Sequence, residues 1–254
     1  MKKFSIVTLT FNSAKTIKEN IKSVNSQNYK NLEHICFDSK SSDKTLSLLN
    51  KFKNNKRKIF TSKERGIYKS LNSAIKKVSG SYVGILHSDD VLVGKNTIKL
   101  IADKFKNPKI NIIYTNIKIV KKKNLKKVIR NWISNKKSYK NKILNSTDYI
   151  KIIKNGWMPP HTGFFIRKKI LDRYRYNTKY LISSDYDFML KVLKNFNGIY
   201  YLPITSTLMR VGGKSSKISN LLRKMQEDLR IIKENKIGGY TTLLKKNLSK
   251  IKQF

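Results

Sequence analysis

Apolar positions in the first hundred residues follow two alternating rhythms. "FSIVTLTF" (4–11), "LEHICF" (32–37), "KIFTS" (58–62) and "SYVGIL" (81–86) are short apolar or alternating runs that predict strands. Between them, Ile17, Ile21 and Val24 recur at helical spacing in a segment from Ser13 to Val24, and a second helix is expected from Asp43, its N-cap, to Phe52. A third helix carries Ile67, Leu71, Ala74, Ile75 and Val78 on one face, and "NTIKLIADKF" (96–105) predicts a fourth. This alternation implies the α/β class, with a mostly parallel central sheet flanked by helices.

Beyond Pro108 the rhythm changes. "KINIIYTNIKIV" and "KKVIRNWI" predict strands on either side of a lysine-rich turn at 121–127, "GFFIRKKIL" a strand running into a helix, and "SSDYDFMLKVL" (183–193) a helix start. "IYYLPITSTLMRV" (199–211) reads as strand, proline break, strand. The last forty residues are expected to be a helical extension. Ile218, Leu221, Leu222, Met225, Leu229 and Ile232 form one stripe, and Gly238-Gly239 interrupt it. The tail then sets Leu243, Leu244, Leu248 and Ile251 on one face, with Lys245, Lys246, Lys250 and Lys252 around the other. That pattern suits a basic amphipathic helix on an anionic membrane surface, or a helix packed on the domain with its lysines in solvent.

Charge sharpens the picture. Against 56 Lys+Arg stand 15 Asp+Glu, a formal net charge of +41, which proposes nucleic acid or an anionic membrane as partner. Only nine of the cations are Arg, and a Lys, Asn and Ile bias in coding produces the same mixture without a partner. Cys36 is the single cysteine, which excludes an internal disulfide framework. The opening segment reads as a strand and not as a signal peptide, and no apolar stretch is long enough to cross a bilayer. The expectation is a cytoplasmic protein, soluble or attached peripherally to the inner membrane face.

Because acids are scarce, their positions carry information. Asp38 and Asp43 follow the second predicted strand, Asp89 and Asp90 the fourth, and Asp185 and Asp187 open a late helix. Ligands of open α/β sheets bind at the carboxyl ends of the strands. There Thr8 and Thr10, Asp38, Arg65 and the "HSDD" of 87–90 would converge, a set suited to a nucleotide diphosphate held with Mg2+ or Mn2+. Turn and cap chemistry alone also accounts for Asp38. No glycine-rich phosphate loop is present, which argues against a dinucleotide-binding dehydrogenase and a P-loop enzyme.

Six motifs in order, "SIVTLTFN" (5–12), "DSKSSDKT" (38–45), "SKERGIYKSLNSAI" (62–75), "SGSYVGILHSDD" (79–90), "PPHTGFFIRKKIL" (159–171) and "SSDYDFMLKVL" (183–193), resemble a family 2 glycosyltransferase of the GT-A fold. The likeness is to the bacterial enzymes of lipopolysaccharide O-antigen and exopolysaccharide biosynthesis. It covers roughly residues 3–213 and implies a nucleotide-sugar-binding half (1–105), an acceptor-side half of the same domain (106–213) and a C-terminal extension (214–254). By resemblance, Asp38 binds the nucleotide base, with Thr8 and Thr10 beside it. Asp89 and Asp90 match the last two residues of a DxD-type motif, Asp89 on the ribose or sugar and Asp90 on the metal. Asp185 matches the catalytic base, and His161 a histidine on the acceptor side.

The resemblance implies transfer of a sugar from a nucleotide-diphosphate donor, a UDP-sugar by preference, to a glycan or lipid-linked acceptor with inversion. Departures from the family pattern are His87 at the opening position of DxD, Arg65 and Lys69 where relatives carry acids, and Ser184 before Asp185. Arg65 and Arg210 are expected to neutralise the leaving diphosphate, and "MRVGGKSS" (209–216) to form a lid over it or an ordinary turn. His161 reads either as an acceptor contact or as an exposed residue of a proline-fixed turn; Trp132 and Trp157 as core or as sugar-stacking residues. Two competing readings stay open: a lysine-rich nucleic-acid-binding protein, which leaves the strand-end acids unexplained, and a degenerate member that binds nucleotide without turnover. On the leading reading no nucleic-acid partner is expected.

Overall fold

The computed structural model describes residues 1–52, 54–64, 66–134, 139, 142–212 and 218–251. Arg65 and residues 213–216 of the expected lid therefore lie outside the described residues. The first half follows the predicted alternation: β1 (Phe4–Thr10), α1 (Ile17–Asn25), β2 (Leu32–Asp38), α2 (Thr45–Lys51), β3 (Arg57–Thr61), α3 (Ile67–Ile75) and β4 (Tyr82–Ile85). All contacts among these strands are parallel, in the order β3-β2-β1-β4. β1 is buried on both faces, as a central parallel strand must be. Phe4 and Ile6 point to one face of the sheet and Val7 to the other.

The second half extends this sheet with mixed polarity. It comprises β5 (Val91–Leu92), α4 (Thr97–Lys104), β6 (Ile112–Lys121), β7 (Asn124–Trp132), β8 (Ile143–Leu144), α5 (Ser146–Lys154), β9 (Phe164–Arg167), α6 (Lys168–Arg173), α7 (Ser184–Asn195) and β10 (Ile199–Arg210). β9 inserts between β4 and β6, antiparallel to both, and β10 continues parallel to β6. The parallel character expected from the alternation thus holds for the first four strands, and the whole is a mixed sheet. The lysine-rich turn is tighter than 121–127, because β6 and β7 pair as a hairpin that uses both its ends. The break expected at Pro203 is a pair of register shifts within one strand between Tyr201 and Thr207, since proline offers no N–H to the ladder.

Two hydrophobic layers sandwich the sheet. On one side Phe4, Ile6, Phe165 and Tyr200 pack against Ile98 and Ile101 of α4 and Phe105 just beyond it. On the other, Val7, Ile35, Ile112 and Tyr114 meet α3, α5 and α7 through Leu71, Tyr149, Ile153 and Leu190. Each fully buried aliphatic side chain contributes ~2 kcal/mol. The chain ends in a helical hairpin, α8 (Leu221–Glu234) and α9 (Tyr240–Ile251). Gly156 lies where the backbone of α9 at Lys246 passes so closely that a Cβ would collide with it, and its φ of +80° is a second reason for glycine.

The expected apolar stripe of α9 splits. Leu243 is buried, whereas Leu244 and Leu248 are exposed, and Lys246 is buried in the expected solvent face. The Lys246 ammonium sits 2.6 Å from Asp228 of α8 and 3.3 Å from the ring centre of Tyr186 on α7. An ion pair and a ring face thus outweigh the cost of withdrawing its charge from water.

Candidate active site

The carboxyl ends of β1 and β2 form a knitted shelf. Asp38 is fully buried, and its carboxylate accepts hydrogen bonds from the Thr10 hydroxyl (2.8 Å), the Ser41 backbone N–H (2.8 Å) and the Ser41 hydroxyl (2.6 Å). The Asn12 N–H donates to Ser41 Oγ at 2.9 Å, and the Ala14 N–H to Asp43 at 3.0 Å. Asp43 also accepts from the Thr45 N–H at 2.9 Å, a turn closed two residues ahead of α2, whose N-cap is Lys44 and not the expected Asp43. In this structure Thr10 and Asp38 are therefore joined directly. Thr8 lies deeper: its hydroxyl is 3.0 Å from Nε2 of buried His34, away from the strand ends. Burial beside Arg57 holds that imidazole neutral, with a pKa lowered to about 3.

Beyond this shelf opens a cleft of about 580 Å³, lined by Phe11, Ser39, Lys40, Lys63 and Gly66. Phe11 is 64% exposed, a large apolar ring presented to solvent beside two lysines. Sequence reading missed it; the available signal was an aromatic residue immediately beyond the last residue of β1.

The end of β4 forms a second shelf, joined to the first by Ser13 and Ser88, whose hydroxyls are 2.9 Å apart. Asn20 of α1 ties the turn by donating to the carbonyls of His87 (2.8 Å) and Asp90 (3.0 Å). Asp90 is 1% exposed, and its Oδ1 accepts from the Arg210 N–H at 3.1 Å, while Oδ2 is buried with no hydrogen-bond partner. Burial, and then the neighbouring charge of Asp89, raise its pKa well above the usual carboxylate range; Arg210 offsets this only in part.

The Arg210 guanidinium does not reach toward open space. Its donors go to the carbonyl oxygens of Asp89 and Lys122 and to the carboxylate of Glu19, and the residue is buried. Its role in this geometry is to hold the turn at 89–90, which corrects the expectation of a free cation above a diphosphate.

A buried, unpartnered carboxylate oxygen in a basic protein fits a divalent cation. Among the described residues no group of three or more His, Cys, Asp or Glu could hold such an ion alone. The donor set therefore fits an ion that arrives with oxygens of its own, as a diphosphate complex does.

The third component is the start of α7. Oδ1 of Asp185 accepts from the Tyr186 N–H at 2.9 Å, and the Tyr68 hydroxyl lies 3.3 Å from it. His161, in a single 3-10 turn at His161–Gly163, places Nε2 2.8 Å from the Tyr176 hydroxyl and its ring 5.8 Å from that of His87. Burial lowers the His161 pKa to about 4; Asp185 opposes that shift and His87 adds to it, so the ring is neutral at physiological pH. Tyr176 stacks on Phe188 and Tyr68, at 4.4 and 6.0 Å between ring centres.

His161 thus stands between the β4 turn and Asp185. Tyr68 and Tyr176, which sequence reading missed, connect the same groups. Asp187, fully buried, turns away from the site to Lys191 (2.7 Å) and Asn235 (3.2 Å). Trp157 packs on Tyr114 and Tyr149 in the core, whereas Trp132 remains partly exposed on β7.

The cleft, the Asp89–Asp90 turn with Asp90 buried, and a separate carboxylate at the start of α7 all lie at one end of a mixed α/β sheet, an arrangement suited to group transfer from a bound nucleotide. The sequence profile of Glycosyl transferase family 2 matches residues 5–175, and the chain belongs to that family. Among curated relatives, the Escherichia coli UDP-Glc:alpha-D-GlcNAc-diphosphoundecaprenol beta-1,3-glucosyltransferase WfgD is 27% identical over 76% of this chain and 70% of its own. Among solved structures, Staphylococcus aureus TarS in complex with UDP-GlcNAc superposes with a TM-score of 0.71 at 21% identity, over 91% of this chain and 66% of that one. The Pyrobaculum calidifontis mannosyltransferase PcManGT, solved with GDP-Man and Mn2+, gives a TM-score of 0.65 at 16% identity, over 94% of this chain and 65% of that one. The fold is the GT-A fold, and the chain spans just under two thirds of the two solved neighbours.

Proposed function

We propose that this protein transfers a sugar from a nucleotide-diphosphate donor, a UDP-sugar, to a glycan or lipid-linked acceptor with inversion, in cell-surface polysaccharide biosynthesis. The observation that carries the reading is Asp90, whose buried and unpartnered oxygen faces the problem that a cation-bound diphosphate solves. A relative named for UDP-Glc and the TarS neighbour solved with UDP-GlcNAc favour uridine, against one neighbour solved with GDP-Man. The base and ribose would enter the cleft beside Phe11 and Ser39. Asp38 keeps the shelf that meets the base in shape, and Asp89 meets the ribose or sugar; Arg65, outside the described residues, is the cation proposed for the diphosphate.

In the transfer step the acceptor hydroxyl oxygen attacks the anomeric carbon as the bond from that carbon to the diphosphate oxygen breaks. The proton passes to Asp185, the electron pair leaves with the nucleotide diphosphate, and the configuration inverts. A second carboxylic acid is unnecessary because the diphosphate is a weak base. Mn2+ or Mg2+ held by Asp90 would neutralise the charge that accumulates on the leaving group. His161, neutral and paired with Tyr176, is available to accept a hydrogen bond from the acceptor. The exposed Leu222, Leu244 and Leu248, set among lysines, suit peripheral contact with an anionic membrane, where a lipid-linked acceptor would be found. No helix among the described residues is long and apolar enough to cross one.

The test is calorimetric titration with a panel of nucleoside diphosphates, with and without Mn2+. UDP is expected to bind best, and its Mn2+-dependent part to strengthen as pH rises, because the ion displaces a proton from Asp90. Asp90→Ala is expected to remove that part, and Asp185→Asn to spare binding while slowing transfer about 10²–10⁴-fold. Cation-dependent binding that survives Asp90→Ala would refute the site assignment.

A further inference from the structure

The matched family profile ends at residue 175, so α7 and the C-terminal hairpin lie beyond it. One contact between them bears on the site. Glu227, partly buried on α8, accepts three consecutive backbone N–H groups from the loop that leads into α7. Its Oε1 is 2.9 Å from the Leu181 N–H, and its Oε2 lies 3.0 Å from that of Ile182 and 2.8 Å from that of Ser183. Three successive amides converging on one carboxylate make a concave donor set that neutral side chains match poorly.

The same loop is fixed from its other side. The Ile182 carbonyl accepts from the Tyr68 hydroxyl at 2.6 Å, and that hydroxyl is the one 3.3 Å from Asp185 Oδ1. The peptide ahead of the helix is therefore held between α8 and α3, and Asp185 is the second residue of the helix that follows. The hairpin itself is pinned to α7 by Asn235 on Asp187 and by Lys246 over the Tyr186 ring. Rotating the first turn of α7 would require these contacts and the three amide bonds to break together.

We propose that Glu227 is a positioning residue for Asp185: by clamping the loop at 181–183 it sets where the Asp185 carboxylate stands. This rests on the reading of Asp185 as the base, and it assigns the C-terminal hairpin a part in the chemistry without contact to substrate. A reacting geometry is lost over distances of an ångström, so a slackened loop lowers turnover and not donor affinity.

The test compares Glu227→Ala and Glu227→Gln with the wild type in hydrogen exchange, UDP binding and transfer, and combines Glu227→Ala with Asp185→Asn. Glutamine keeps the length and one acceptor oxygen, so its effect should be the smaller. Faster exchange confined to residues 181–186, a UDP Kd within about twofold, and kcat lowered about 10–100-fold at unchanged donor KM are expected. In the Asp185→Asn background Glu227→Ala should cost nothing further, because the group it positions is gone. Unchanged exchange at 181–183, losses that multiply in the double variant, or a parallel fall in UDP affinity would each overturn the proposal. The exchange arm needs no substrate. A wild type without transfer activity would defeat the functional reading and leave the clamp to be decided by that arm.

Discussion

Glu33 offers the sharpest quantitative test of how this protein uses its few acids. It sits on β2 at the end of the sheet opposite the site, with its side chain only 4% exposed. Oε1 accepts from the Ser5 hydroxyl and from the N–H groups of Ser79 (2.7 Å) and Gly80 (3.0 Å); Oε2 accepts from the Ser79 hydroxyl (2.7 Å) and Lys58 (3.2 Å). Burial alone would raise its pKa, but the hydrogen bonds from Ser5, Ser79 and Lys58 prevail and lower it from 4.5 to about 2. At about 1.4 kcal/mol per tenfold change, that difference corresponds to about 3 kcal/mol of folding stability.

Because the folded-state pKa is depressed, this stability is present above pH 4.5 and is lost as pH falls toward 2. Glu33→Gln removes the charge and turns an amide N–H toward the backbone donors of Ser79 and Gly80. Urea titration at pH 7 should show a loss of about 2–3 kcal/mol, equivalent to a Tm lower by about 5–10 °C. The gap between variant and wild type should close as the pH is lowered. A gap that stays constant to low pH, or is below about 1 kcal/mol at pH 7, would refute the reasoning.

Two further outcomes are expected. Phe11→Ala should weaken UDP binding about 5–100-fold with no loss of stability, since a base stacked on an aromatic ring contributes ~1–3 kcal/mol and Phe11 is exposed; an unchanged calorimetric Kd would remove the base from that ring. The protein should cosediment with phosphatidylglycerol vesicles and not with neutral ones, and Leu244→Glu with Leu248→Glu should release it; wild-type protein left in the supernatant at physiological salt would remove the membrane contact.

The first half of the fold was legible because each element there carries its own signal: an apolar strand, a periodic helix, a polar connection. Asp38, Asp90 and Asp185 were legible as site candidates because acids are rare in this chain and these three lie at or next to the ends of elements. What stayed hidden depends on partners distant in sequence. Nothing local announces that β9 runs antiparallel between β4 and β6, and two-residue strands such as β5 and β8 are too short to carry a period. Lys246 and Arg210 looked like solvent or ligand cations, yet Asp228 and Glu19 claim them across the fold. One element was readable and overlooked: Asn145 and Asp148 form a capping box at the start of α5, a spacing visible in "NSTD".

The insertion of β9 also governs how the chain leaves the ribosome. β4 is the open edge of a four-stranded parallel sheet until Phe164–Arg167 arrives roughly 80 residues after Ile85, on the order of ten seconds at ordinary rates of synthesis. During that interval a buried-type strand, Tyr82–Ile85, presents unpaired backbone groups to whatever is near. Truncated or stalled chains ending between these two strands are therefore the forms of this protein most prone to pair with one another.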